Sequence, residues 1–194
     1  MSEKQPPTIS AEEILNAEFE YIASTASQAN DDRSSVVSFF VIAVGSPIAA
    51  FFGSSQEGFN QANTPALFTG LFLILSILGI TTILQLARLR AAWHESMLAM
   101  NHMKEFLIQN SDSDISGAFR WSTKTAPAKF KPNSVSFYQA LEVALLSGII
   151  FGAFLFFLLL GLNGSASTAT LLCSGIGGLL FTGLAIWLYR RMLS

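Results

Sequence analysis

The sequence predicts an all-α, polytopic membrane protein with four transmembrane helices and a cytoplasmic helical stalk. Three observations predict it. First, 51% of the 194 residues are hydrophobic and only 12% are charged, against roughly a quarter charged in a soluble domain. The apolar residues gather at 36–52, 66–87, 140–162 and 169–189, runs that suit a hydrocarbon core needing about 20 helical residues. Second, all 11 basic residues fall on one side of a four-span arrangement. Third, the segments between the runs on that side carry apolar residues at helical spacing.

The first 34 residues are too polar and too acidic for a secretory signal. "TISAEEILNAEFEYIASTASQAN" reads as an amphipathic helix. Ser10 and Glu13 have capping-box spacing, and Ile9 and Ile14 the spacing of a hydrophobic staple. Leu15, Phe19, Ile22, Ala26 and Ala29 recur on one face, and the polar side is acidic. An acidic face favours packing on a protein helix over adsorption to anionic lipid.

Asp31, Asp32 and Arg33 stand where the first span begins. With 17 residues it is the shortest of the four, and it spans only if Ser34 and Ser35 reach the interface. Arg33 is expected to reach headgroups or water. The two aspartates either favour a helix N-terminus or ride above the membrane on an unbroken helix. Asp31, Asp32, Arg33, Arg88, Arg90, Glu142 and Arg190 lie at similar depth and are candidates for an interfacial ion-pair belt. Pro47 removes one backbone bond in mid-span and is expected to kink the helix.

The second span has no breaker at its inner end and is expected to continue through "RLRAAWHESMLAMNHMKEFLIQN". Leu86, Trp93, Met100 and Leu107 recur every seven residues, with Leu89 and Met103 between them. This is a short coiled-coil seam, broken at Ser96, expected to pair with the first helix within or between chains. Residues 111–136 form a linker punctuated by Asp, Ser, Gly117 and two Pro. Its Phe119, Trp121 and Phe130, interleaved with Arg120, Lys124, Lys129 and Lys131, are expected along the inner headgroup layer.

In the last two spans, Ala144, Gly148 and Gly152 are four apart, as are Ser174, Gly178 and Thr182. Small residues at this spacing let membrane helices approach closely. With only "NGSAST" between them, these spans are expected to form an antiparallel hairpin. Trp187 and Tyr189 precede Arg190 as interfacial aromatics. Four parts result: 1–34, an amphipathic helix; 35–110, a first hairpin with its extension; 111–137, a linker; and 138–194, a second hairpin.

The loops at 53–65 and 163–168 carry no Lys or Arg. Lys/Arg excess marks the cytoplasmic side, so both termini are expected inside a bacterial inner membrane.

No ionisable residue lies at mid-depth in any span, which argues against a proton-coupled carrier. His94 and His102 are eight apart, about 12 Å along a helix, too far to share a metal ion. The lone Cys173 permits neither an intrachain disulfide nor a cysteine cluster. P-loop, GxSxG, HExxH and CxxC patterns are absent from the sequence. No metal or cofactor site, catalytic set or nucleic-acid interface is expected.

The stretch "EFEYIASTASQANDDRSSVVSFFVIAVGSPIAAFFG" resembles the opening of small uncharacterised bacterial four-span membrane proteins. There a short amphipathic helix leads through a polar junction into the first span. Residues 10–110 are also similar in layout to SLATT-type membrane effectors of nucleotide-signalling defence systems. That resemblance implies oligomeric membrane disruption triggered by a partner, and supplies no catalytic residues. Those effectors have two spans, and the second hairpin here departs from them.

The expected function is therefore non-enzymatic. One reading is a structural or accessory subunit of a membrane complex or oligomer. The alternatives are a regulated pore-forming or membrane-perturbing effector, and a small-molecule transporter. The expected partners are the lipid bilayer and either further copies of the chain or other membrane subunits.

Overall fold

The computed structural model describes residues 10–53, 64–112, 117 and 119–194, with backbone alone at 50–53. Four helices carry the described chain: α1 (Ala11–Gly53), α2 (Thr64–Gln109), α3 (Val135–Asn163) and α4 (Thr168–Leu193). Each is long and apolar enough to cross a membrane. At 1.5 Å per residue, α1 and α2 measure about 65 and 69 Å, roughly twice a hydrocarbon core of about 30 Å. Both therefore continue well past their apolar parts.

α1 starts where its sequence says. The Ser10 N–H donates to Glu13 Oε2 at 3.0 Å and the Glu13 N–H to Ser10 Oγ at 3.2 Å, a reciprocal cap that satisfies two donors at once. Ile9, the other half of the staple, lies outside the described residues. From there α1 runs unbroken through Asp31, Asp32 and Pro47, so the expected boundary at 34/35 falls inside a helix. The reason is phase. Ala26, Ala29, Arg33, Phe40 and Val44 are all buried, at steps of three, four or seven residues. One continuous stripe leaves the helix no place to turn.

Ser134 caps α3 by accepting the Phe137 N–H, and Ser167 caps α4 by accepting that of Thr170. Between these two helices Gly164, at φ 70°, closes α3 with its N–H on Leu160 O. A left-handed residue in that place reverses the chain at little strain, and α4 returns antiparallel along α3.

α2 is the central helix. It packs along α1 and α3 and more briefly on α4, while α1 touches α3 only locally. A Cβ at Gly79 of α2 would overlap Ser147 of α3 and lie 3.6 Å from Phe40 of α1, so glycine there admits both neighbours. Phe68 and Phe72 of α2 stack on Phe157 of α3 at 4.8 and 5.7 Å. Phe151 stacks on Phe181 of α4 at 4.4 Å.

The bundle is apolar outside as well as inside. Ile42, Ile149 and Leu179 are 67%, 70% and 74% exposed in the middle of their helices. Cys173 also faces outward. In water such surface would drive aggregation; in lipid it is a normal exterior. The buried hydroxyls of Ser76, Thr82, Ser147 and Ser174 donate to carbonyls one turn back in their own helices. They are satisfied where they stand, as a hydrocarbon environment requires.

Candidate functional site

The polar chemistry of the described chain collects at the basic end of the bundle, just beyond the apolar runs. All four helices contribute. Arg33 of α1 and Arg90 of α2 are only 8% and 7% exposed. The Nε–H of Arg33 donates to Gln139 Oε1 of α3 at 2.7 Å, and that of Arg90 to the backbone oxygen of Lys129 at 3.1 Å. Tyr189 of α4, also buried, lies 2.9 Å from Ser136 Oγ, and its hydroxyl donates to Ser136 O at 3.3 Å. Arg90 also lies over the Trp93 ring at 4.4 Å.

The layer is built by helical phase. Arg33 falls four residues after Ala29 and seven before Phe40, inside the buried stripe of α1. Arg90 follows Leu86 by four on the buried side of α2. Ser136 and Gln139 are one turn apart on α3.

This arrangement differs from the expected ion-pair belt. Asp31, Asp32, Arg88, Glu142 and Arg190 are exposed, and among the described residues no ion pair joins any of the seven candidates. Arg190 instead lies 5.7 Å from the Phe130 ring centre. Arg33 points into the bundle rather than toward headgroups, because its position on the helix leaves it no outward path.

A second polar feature covers the continuation of α2. Residues 121–129 run back along it as a strap with a turn at 122–125, where the Thr125 N–H donates to Ser122 O at 3.2 Å, and with an order fixed by side chains of the helix. Besides Arg90 to Lys129, His94 Nε2 donates to Pro127 O at 3.0 Å, Asn101 to Ser122 O at 3.4 Å and Lys104 to Trp121 O at 3.5 Å. Glu105 accepts both the backbone N–H of Thr123, at 2.7 Å, and its hydroxyl. Two of these bonds, those of Asn101 and Lys104, are long. Residues 90, 94, 97, 101 and 105 form one face of α2, and Met97 and Asn101 are buried beneath the strap. Fourteen helical residues advance about 21 Å, and eight residues fully extended would reach about 26 Å, which leaves length for the turn at 122–125. Outside that turn the strap has no helix or sheet to absorb its carbonyls; α2 supplies donors to those of Trp121, Ser122, Pro127 and Lys129. The Glu105 carboxyl lies below its ordinary range, held down first by the Thr123 hydroxyl and then by the Thr123 N–H.

The other candidates fall as follows. Ala144, Gly148, Gly152, Ser174, Gly178 and Thr182 lie where α3 crosses α4. A Cβ at Gly148 would stand 2.7 Å from Gly178 O, and one at Gly178 2.6 Å from Gly148 O, while Thr182 Oγ1 donates to Ala144 O at 3.3 Å. Of the α2 seam, Leu86 is fully buried, Leu89, Trp93, Met100 and Met103 are half-buried and Leu107 is exposed. Met103 and Leu107 share a groove of about 600 Å³ with Leu15 and Phe19 of α1 and with Phe119.

Reading the sequence missed Gln139, Ser136, His94, Asn101, Glu105 and Thr123 as structural partners. For the α2 residues the signal was there, in the four-and-seven spacing of polar side chains from Arg90 to Asn101. Among the described residues no cluster of three or more His, Cys, Asp or Glu could hold a metal ion. No family model, curated protein or solved structure matches the chain.

Proposed function

We propose that the chain is a non-enzymatic integral membrane protein that serves as a structural or accessory subunit of a membrane assembly. In this reading both termini are cytoplasmic, and the long ends of α1 and α2 form a stalk. The single observation that carries it is the apolar groove at the far end of that stalk. Phe19, Leu107 and Phe119 line it and are 41%, 47% and 41% exposed. Ile14, Tyr21, Phe106 and Trp121 add further exposed apolar surface on the same segments. The stalk lies beyond the hydrocarbon, so this surface faces water unless another polypeptide covers it.

The spans support a non-catalytic role. The buried hydroxyls of Ser76, Thr82, Ser147 and Ser174 are engaged within their own helices, and the polar layer sits at one end rather than at mid-depth. The alternative of a pore-forming effector draws on the layout similar to SLATT-type proteins. It needs helix faces free to join copies, yet the Gly148–Gly178 contact is taken up inside the chain. A small-molecule transporter is supported by neither feature.

Purification of the tagged protein from its host membrane in mild detergent tests the reading. Recovery of other polypeptides in fixed ratio is the expected result. A pure homo-oligomer, together with dye leakage from vesicles on reconstitution, would replace it with the effector reading.

A further inference from the structure

We propose that the groove between α1, α2 and the end of α4 binds a phospholipid with a zwitterionic, primary-amine headgroup, Asp32 taking the ammonium and Arg88 the phosphate. The inference starts from helix register. α1 and α2 run antiparallel: Phe19 shares a groove with Met103, and Phe40 lies beside Gly79. With the same rise per residue in both helices, that register sets Asp32 level with Arg88, Ser35 with Gln85 and Val36 with Leu84. All six line one groove of about 570 Å³, with Leu89 and with Met192 of α4. That volume falls in the range of about 300–1,000 Å³ common to small-molecule sites.

Depth orders the lining. Asp32 precedes the apolar run of α1 and Arg88 directly follows that of α2, so both stand at headgroup level. Ser35 and Gln85 lie about 4.5 Å deeper along their helices, and Val36 and Leu84 about 6 Å deeper. The groove thus passes from charge through neutral polar groups to hydrocarbon, the order of groups in a phospholipid. Asp32, Gln85 and Arg88 are exposed, and among the described residues no protein group pairs with any of the three side chains. Ser35 donates its hydroxyl to Asp31 O at 3.0 Å, which leaves its oxygen free to accept.

Charge then selects the headgroup. One carboxylate and one guanidinium line the same groove at the same level without an ion pair between them. Together they match a headgroup that carries one ammonium and one phosphate, and arginine suits phosphate in particular. A headgroup with phosphate alone would leave Asp32 facing an anion. A primary ammonium has three N–H donors, for Asp32, the Gln85 amide oxygen and Ser35. A quaternary ammonium has none and is held by aromatic faces, and no aromatic ring lines this groove. The inference does not depend on the proposed subunit role, and its test reads lipid rather than polypeptide.

The test uses the full chain, purified in a neutral detergent and stripped of lipid. Native mass spectrometry follows its binding of phosphatidylethanolamine, phosphatidylcholine and phosphatidylglycerol with identical acyl chains. Phosphatidylethanolamine should bind about fivefold more tightly than either of the others. D32N should weaken it by about fivefold and strengthen phosphatidylglycerol, whereas R88Q should weaken both by about fivefold. Both substitutions are at exposed positions, so the fold is kept, and an unchanged thermal midpoint without lipid checks this. E142Q and R190Q alter exposed charges outside the groove and should change binding by less than about twofold. Equal binding of the three lipids, any other lipid bound most tightly, or no binding at all overturns the proposal. So does a preference that survives D32N and R88Q, or one that E142Q or R190Q removes equally.

Discussion

Arg33 of α1 donates its Nε–H to the side-chain oxygen of Gln139 on α3 at 2.7 Å, and this bond ties together two helices that otherwise barely touch. It spans 106 positions in sequence and closes the basic end of the bundle. Removing the acceptor leaves a buried guanidinium short of a partner. Gln139→Leu should therefore destabilise the folded chain by about 1–3 kcal/mol, the range for a lost hydrogen bond to a charged group. Equilibrium unfolding in mixed micelles reads this. A loss too small to measure would mean that Arg33 finds another acceptor at once.

The α3–α4 crossing gives a sharper contrast. Gly148→Ala places a methyl against the Gly178 carbonyl, and Gly178→Ala places one against the Gly148 carbonyl. Backbone on both sides cannot yield cheaply, so each substitution should destabilise by about 1–3 kcal/mol. Gly175→Ala and Gly183→Ala meet nothing within 4 Å and should be neutral or slightly stabilising, since alanine favours helix. Equal effects at all four positions would contradict the crossing.

The strap can be loosened from beneath. Asn101→Ala and His94→Ala each remove a donor to a strap carbonyl, a change of about 1 kcal/mol in local stability. Lys124 lies in the exposed middle of the strap, so trypsin should cut after it several-fold faster in either variant. Unchanged cleavage would show that the strap is held by other contacts.

Acid should release one end of the strap. Thr123 holds the Glu105 carboxyl below its ordinary value of 4.5, so the attached state binds fewer protons than the free one. The resulting stabilisation is fully present above the ordinary carboxylate range and is lost as pH falls through the lowered pKa. The Thr123 amide proton, followed by NMR during acid titration, should move to a free-chain position only below about pH 4.5. In Glu105→Gln the movement should disappear.

Much of this arrangement was legible in the sequence, and the parts that were not have physical reasons. The start of α1 was legible because a capping box is local: Ser10 and Glu13 need only each other. The glycines of α3 and α4 were legible because close approach demands small residues at helical spacing. The inward turn of Arg33 was written in the phase of Ala26, Ala29 and Phe40. Its charge and its place at the end of an apolar run pointed the other way, toward headgroups. The strap had no signature of its own. A segment with neither helix nor sheet takes its register from a distant helix, and Glu105 and Thr123 meet only because α2 continues to Gln109. The aromatic residues near it, read as headgroup anchors, divide between the groove and the bundle: Phe119 lines the one, and Phe130 packs on the other beside Phe137.

The separation of charge between the two sides of the membrane is tested most directly by cysteine accessibility in intact cells. In a Cys173→Ser background, Ala166→Cys reports the α3–α4 connection and Arg120→Cys the strap side, both at exposed positions. A membrane-impermeant maleimide added outside should label position 166 and leave position 120 unlabelled until the cells are opened. Labelling of both positions from the same face would contradict four lipid-embedded helices with every lysine and arginine in one compartment.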